Sequence, residues 1–300
     1  VVVVLCYLTC ALVWSTTWFA IRVCIGPGGY PTLPAAAIRF SIAALILGAL
    51  LAAGLGRPGP RGRRQMLWLV AAGVSNAIGY ATIYRAEEVL PGGVVAVVFG
   101  TYPLFTALAA AATGTERIAF TDVGAALLSL VGMTILFWDR LSVSAEQAVG
   151  VGFVLVGVAG SVGYNIIFKR EAKGVNPFSS TALFLAVGAA SLWVFALAGG
   201  NQPIPWPPAT APTVALLYLA VLGSVVTFVC YFTLLQRTTL MTASTLVLVQ
   251  PVIALLVDAM WEDQVRLAAR SYIGVAVTLG GVALNLGLKW RRARHAAATP

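Results

Sequence analysis

Pro103 and Pro251 stand 148 residues apart, each near the middle of a long apolar run. Proline in a helix removes one N–H and leaves the carbonyl four residues back, here Phe99 and Val247, without its donor. Inside a membrane such a carbonyl is either satisfied by neighbouring polar groups or lines a cavity, where it can accept from a substrate ammonium. Both prolines are therefore read as hinges or breaks. Trp14, Tyr80, Tyr102 and Tyr164 lie deep in apolar runs and can offer ring faces to an aromatic or cationic solute, with packing between helices as the other use. Asn76, Asn165 and Gln250 are uncharged amides in the same setting. They either tie helices together or orient a carboxylate or amine, and Gln250 beside Pro251 is the best placed. Arg39 and Asp258 are the charges read inside apolar runs, both in the outer third of their spans. Arg39 is long enough to reach the outer surface. Asp258 is short, and pairing with Arg39 or Arg22, or taking up a proton, would relieve its cost. An Arg39–Asp258 pair closing an outer gate, or Asp258 as the coupling proton site, is the expectation.

Parts for other chemistries are missing. The one histidine, His295, is in the tail, and no HExxH-type zinc motif or pair of membrane aspartates is present. Cys6, Cys10, Cys24 and Cys230 show no metal or disulfide spacing and read as small buried side chains. No catalytic residue, cofactor or metal is expected, and the chain is not read as an enzyme. A channel would need rings of carbonyls or charges, which are not visible.

The elements that must position these residues are membrane spans. Apolar residues make up 60% of the 300, and charged residues 10%, against about 25% in soluble domains. No charge lies between Gly174 and Gln236. Apolar runs of roughly 20 residues place ten spans at 2–23, 34–55, 66–86, 91–112, 120–138, 148–169, 177–198, 213–235, 240–261 and 271–290. The first run exceeds the core of a typical signal peptide and lacks a basic segment before it. With no initial Met, residues upstream are expected. With both termini cytoplasmic, thirteen Lys/Arg fall inside and five outside, as the positive-inside rule asks. The net charge of +9 is thus spent in short clusters at span ends, such as Arg57, Arg61, Arg63 and Arg64. A nucleic-acid partner is not expected. Trp18, Tyr84, Trp138, Trp193 and Trp290 lie near span ends and are assigned to the aromatic belts.

The spans repeat. Besides the prolines, Arg22 and Arg170 end spans one and six at an offset of 148. Leu130-Val131-Gly132-Met133 and Leu279-Gly280-Gly281-Val282 sit in spans five and ten at an offset of 149. Five is odd, so the second copy must be inverted, with a central site between the halves. The fold class read from this is an all-α membrane protein of ten transmembrane helices, built as two inverted five-helix repeats (1–146 and 147–300) around a central cavity.

Several stretches together resemble the ten-helix EamA-type branch of the drug/metabolite transporter superfamily. They are Trp14-Ser15 in span one, Ala37-Ile38-Arg39-Phe40 in span two, Tyr102-Pro103-Leu104 followed by Gly114-Thr115-Glu116-Arg117, Phe168-Lys169-Arg170 ending span six, and Gln250-Pro251-Val252. The resemblance covers essentially the whole chain. It departs after span nine, where Met260-Trp261-Glu262-Asp263-Gln264 replaces the usual Gly-Glu-Arg element. The resemblance implies a secondary transporter of the inner membrane, commonly an exporter of amino acids, other metabolites or toxic cations. It implies a cavity lined mainly by spans 1, 3, 4, 6, 8 and 9. The implied partners are a small-molecule substrate and membrane lipids, and a monomer suffices. Amino acids, aromatic or neutral ones included, are the first substrate class. A nucleotide-sugar or lipid-like carrier of the same superfamily is the alternative, against which stands a mid-depth read as aromatic and neutral.

Overall fold

The structure is a computed structural model that describes all residues except 57, 91, 139–146, 200–202, 206, 262–268 and 299–300. The side chains of 92, 93, 254–261, 269, 289, 290 and 292–298 also lie outside the described residues. The described residues form helices joined by turns and short loops, with no strand among them. The helices are α1 (Val2–Ile25), α2 (Thr32–Ala52), α3 (Gly62–Glu87), α4 (Gly92–Phe99), α5 (Tyr102–Ala112), α6 (Phe120–Leu136), α7 (Ala148–Glu171), α8 (Pro177–Ala198), α9 (Thr210–Ala220), α10 (Thr227–Arg237), α11 (Leu240–Ser244), α12 (Leu246–Trp261) and α13 (Ala269–Ala298). Among the described residues eight helical stretches are long and apolar enough to cross a membrane, with shorter apolar helices at Phe120–Leu136 and Leu240–Ile253.

Local chemistry sets several of the ends. Asn176 caps α8 by accepting from Phe178 N at 2.9 Å, with Pro177 as first helical residue. Gly174 turns the chain ahead of it at φ 74°. The outward faces are apolar, as Leu8, Leu12, Leu45, Leu108, Val131 and Leu197 are all exposed. Such a surface suits lipid and would be a liability in water.

Two helix crossings depend on missing side chains. α6 packs along α13, where a Cβ on Gly132 would lie 2.4 Å from Thr278 N and one on Gly281 2.2 Å from Ser129 Oγ. The backbones approach closely enough for Ser129 Oγ to donate to Thr278 O at 3.1 Å and Thr278 Oγ1 to donate to Ser129 O at 3.4 Å. α3 packs on α7 in the same manner, since a Cβ on Gly160 would meet Ser75 O at 2.9 Å. Without a hydrophobic drive between helices in lipid, close van der Waals contact of this kind carries the packing.

Loop contacts define two ends of the bundle. At one end Asn176 N donates to Pro58 O (2.9 Å), Gln65 Nε2 to Glu171 O (2.5 Å), Arg170 Nη1 to Thr113 O (3.4 Å) and Gln236 Nε2 to Val175 O (3.0 Å). Arg61, Arg64, Lys169 and Lys173 gather here, so this is the basic end. At the other end Tyr30 Oη meets Thr213 Oγ1 at 3.1 Å and Gln147 Nε2 donates to Val89 O at 3.1 Å.

A candidate solute cavity around Arg39

A cavity of about 120 Å³ lies inside the bundle. α1 contributes Trp14, Thr17, Trp18 and Ile21; α3 contributes Gly79, Tyr80, Ile83 and Tyr84. Arg39 comes from α2, Phe99 and Tyr102 from α4 and α5, Ser161 and Tyr164 from α7, and Phe228 and Tyr231 from α10. Ala243, Leu246, Val247 and Gln250 complete it from α11 and α12.

Arg39 is the cation of this wall. It is 1% exposed, so it does not reach the surface as its length would allow. The reason lies in the helix opposite. Between α9 and α10 the chain runs as a π-helix over Val221–Val226, which disturbs the normal ladder and turns polar backbone inward. Arg39 Nη2 donates to Gly223 O at 2.9 Å and Nε to Ser224 Oγ at 2.8 Å. Its guanidinium stands 5.4 Å from the Tyr80 ring centroid and 5.5 Å from that of Phe40. Charge-assisted hydrogen bonds contribute about 1.5–3 kcal/mol each and desolvated cation–π contacts about 2. Burial of one ion costs several kcal/mol. The contacts therefore hold the cation near balance without a carboxylate, and none of the ion pairs among the described residues includes Arg39. Nη1 is buried with no acceptor at hydrogen-bonding geometry, beside the Tyr80 and Tyr84 phenols.

The rest of the wall is aromatic. Trp14 donates from Nε1 to the same Gly223 carbonyl at 3.3 Å and packs against Phe228 and Tyr231 with centroids at 5.5 and 5.1 Å. Tyr80 meets Phe40 edge to face at 4.8 Å. The prolines act on this wall differently. The fourth span is not a kinked continuous helix: α4 ends at Phe99, and Pro103 lies in the first turn of α5. Thr101 N and Oγ1 both turn back to Val98 O, at 3.1 and 2.6 Å, which stabilises the break. Pro251 does lie inside its helix, α12. In both cases the residue whose carbonyl loses its donor, Phe99 or Val247, lines the cavity.

Toward the basic end the cavity is closed in layers. Asn165 donates to Tyr102 Oη and to Ser161 O (2.8 Å), and accepts from Tyr231 Oη at 2.8 Å. Below it Phe168 stacks on Phe232 at 3.7 Å, with Phe184 edge-on to both at 5.4 and 5.0 Å. Lys169 Nζ then reaches Leu235 O at 3.0 Å, Thr238 O and the Glu116 carboxylate at 3.5 Å. Glu116 accepts from Leu240 N at 2.9 and 3.0 Å. The Gly-x-Glu-Arg element thus holds the start of α11 and the end of α7 together.

The structure redistributes the expected site. Trp14, Tyr80, Tyr102, Tyr164 and Gln250 line one cavity, and Arg39 joins them. Asn165 does not line it and instead holds two of its tyrosines. Asn76 is buried away from it, close to the Gly188 backbone, with no partner for either side-chain atom. Asp258 lies on α12, but its side chain, like that of Trp290, is outside the described residues. Trp18 and Tyr84 are corrections: both face the cavity rather than the lipid interface, because α1 and α3 turn these positions inward. Trp193 donates to Ser41 Oγ at 3.1 Å, and Trp138 is 62% exposed. Arg39 adds a cation to a wall that is otherwise aromatic and apolar. A further charge went unrecognised: Asp122 on α6 is 5% exposed and faces Asn285 Nδ2 at 3.3 Å. Its place in the first turn of a span hid it. The π-helix had no sequence signal beyond Gly223-Ser224.

Long lipid-facing helices closed around a small aromatic cavity define a polytopic membrane protein with an internal cavity. The chain belongs to the EamA-like transporter family, whose sequence profile matches residues 1–138 and 148–287. It is similar to the uncharacterized inner membrane transporter YedA of Escherichia coli K12, at 28% identity over 82% of this chain and 78% of that protein. The protein PagO of Salmonella typhimurium is 24% identical over 93% of both chains. The probable terminal-alkyne amino-acid exporter of Streptantibioticus cattleyicolor is 25% identical over 96% of this chain and 94% of the other. A crystal structure of 22% identity superposes with a TM-score of 0.79 over 95% of this chain and 98% of its own, a likeness of fold.

Proposed function

We propose that this chain exports amino acids, aromatic or neutral ones, across the inner membrane by alternating access. The observation that carries the reading is Arg39: a buried cation, with no carboxylate partner among the described residues and with Nη1 beside the Tyr80 and Tyr84 phenols, on the wall of an otherwise aromatic cavity. A zwitterion fits both chemistries. Its carboxylate pairs with Arg39, and its ammonium takes the ring faces, Gln250 and the freed Val247 carbonyl. The name of the Streptantibioticus relative supports the substrate class. Charge opposes the nucleotide-sugar alternative, because among the described residues the wall brings a single cation, Arg39, to the cavity. One guanidinium also matches one carboxylate better than a diphosphate. Counterflow in proteoliposomes tests the reading. Neutral amino acids should exchange at least tenfold faster than the amines made by removing their carboxyl groups. Equal rates for both would leave Arg39 without its substrate role.

The architecture we propose for the transporter is ten spans in two inverted halves, 1–146 and 147–300, with both termini cytoplasmic. Support comes from pairs that exchange under the 149-residue offset. Ser129 and Thr278 bond each other reciprocally. Gly132 meets Gly274, and Gly281 meets Ala125. Accessible-cysteine labelling should place positions 59 and 173 on the cytoplasmic side and 28 on the outside. Labelling of 59 and 28 from one side would end the ten-span topology.

A further inference from the structure

At the basic end, apart from the solute cavity, lies a wide polar pocket of about 730 Å³ between the starts and ends of α3, α5 and α7. Arg61, Arg64, Lys169, Arg170 and Lys173 line it, against one carboxylate, Glu171. Glu171 faces Arg64 at 3.5 Å, and Lys169 is taken by Glu116 at 3.5 Å. Arg61, Arg170 and Lys173 remain exposed, with no carboxylate partner shown among the described residues. Three uncompensated cations around one concavity call for an anion of more than one charge-bearing oxygen. The surroundings say where that anion comes from. Leu67 and Trp68 follow Arg64 by three and four residues, so they share its face of α3 one turn deeper, and they are 56% and 45% exposed. A basic pocket at the interface that continues into an exposed apolar stripe matches a phosphate joined to an acyl chain.

We propose that this pocket seats the headgroup of an anionic phospholipid, its phosphate among Arg61, Arg170 and Lys173 and its acyl chain along Leu67 and Trp68. The site rests on the membrane embedding of the bundle and not on the identity of the solute. A lipid held here bridges the ends of α3, α5 and α7 beside the Lys169–Glu116 tie, so occupancy would brace the closed end.

Native mass spectrometry and equilibrium lipid titration of the detergent-purified full chain test this. Phosphatidylglycerol is compared with phosphatidylcholine of the same acyl chains, and glycerol 1-phosphate serves as the soluble competitor. Each cation near an anionic headgroup contributes roughly a fivefold factor, so the triple variant Arg61→Gln/Arg170→Gln/Lys173→Gln should bind phosphatidylglycerol on the order of a hundredfold more weakly. The charge-retaining variant Arg61→Lys/Arg170→Lys/Lys173→Arg should stay close to the parent. Raising NaCl about tenfold should weaken the parent's binding. Equal affinity for phosphatidylcholine, an unaffected triple Gln variant, or displacement by glycerol phosphate would each overturn the proposal. Salt-independent binding by the parent chain would do so even if the Gln variant did not fold.

Discussion

Arg39→Gln is expected to slow transport of a carboxylate-bearing solute by about thirtyfold or more. Truncating one partner of a buried hydrogen-bonded charge pair costs about 2–5 kcal/mol, and 2 kcal/mol is already a factor near thirty. Gln can still reach Ser224 or Gly223, so the helix contacts at 2.8 and 2.9 Å need not both be lost. What it cannot supply is the positive charge. The loss should therefore appear for amino acids and not for their decarboxylated amines, and the parent's preference between the two should vanish. Arg39→Lys keeps the charge but not the planar fork, so an intermediate rate is expected. Proteoliposome exchange with both substrate sets reads these outcomes. Undiminished amino-acid transport by Arg39→Gln, in protein that elutes as a folded species, would reduce Arg39 to a structural tie between α2 and the π-helix.

The second large effect separates two adjacent glycines of α13, Gly280 and Gly281. Gly281→Leu should destabilise the fold strongly, because its Cβ would lie 2.2 Å from Ser129 Oγ and 2.8 Å from both Ser129 N and Ala125 O. Two of these atoms are backbone, so α6 and α13 must separate, and overpacking of this kind costs roughly 1–3 kcal/mol or more. Separation also breaks the reciprocal Ser129–Thr278 bonds. Gly280→Leu is expected within about 0.5 kcal/mol of the parent, since its Cβ would meet nothing within 4 Å. Gly132→Leu should behave like Gly281→Leu, its Cβ being 2.4 Å from Thr278 N. Thermal unfolding in detergent compares the three. Equal loss at Gly280 and Gly281 would mean that helix propensity, not the seam, sets the cost.

How far the sequence reaches depends on the kind of information each residue carries. Membrane solvent, helical class and the positions of the spans follow from composition and run length, because a bilayer leaves the backbone few other choices. The expected spans at 2–23, 34–55, 66–86, 148–169 and 177–198 differ from α1, α2, α3, α7 and α8 by a few residues at their ends. The prolines mark the spans that break or bend at the cavity, since a missing N–H acts locally whatever surrounds it. Which way a side chain faces is another matter. The polar residues of the first and third helices, such as Thr9, Thr16, Ser75 and Thr82, do not gather into one stripe that tells the bundle side from the lipid side. Trp18 and Tyr84 therefore looked like interface anchors, and only the packing of α1 and α3 against their neighbours turned them inward. Arg39 shows the same division. Its type and depth signalled a costly residue that needed partners, but those partners lie 184 and 185 residues away on a π-helix. A π-helix arises from how the turns of α9 and α10 settle against α1 and α2, and no local residue preference dictates it. The sequence determined that this chain spans a membrane as a helical transporter with Pro103 and Pro251 interrupting the helix ladder in two of its spans. The tertiary structure alone decided that Arg39 faces the cavity, because that choice depends on contacts between helices far apart in the chain.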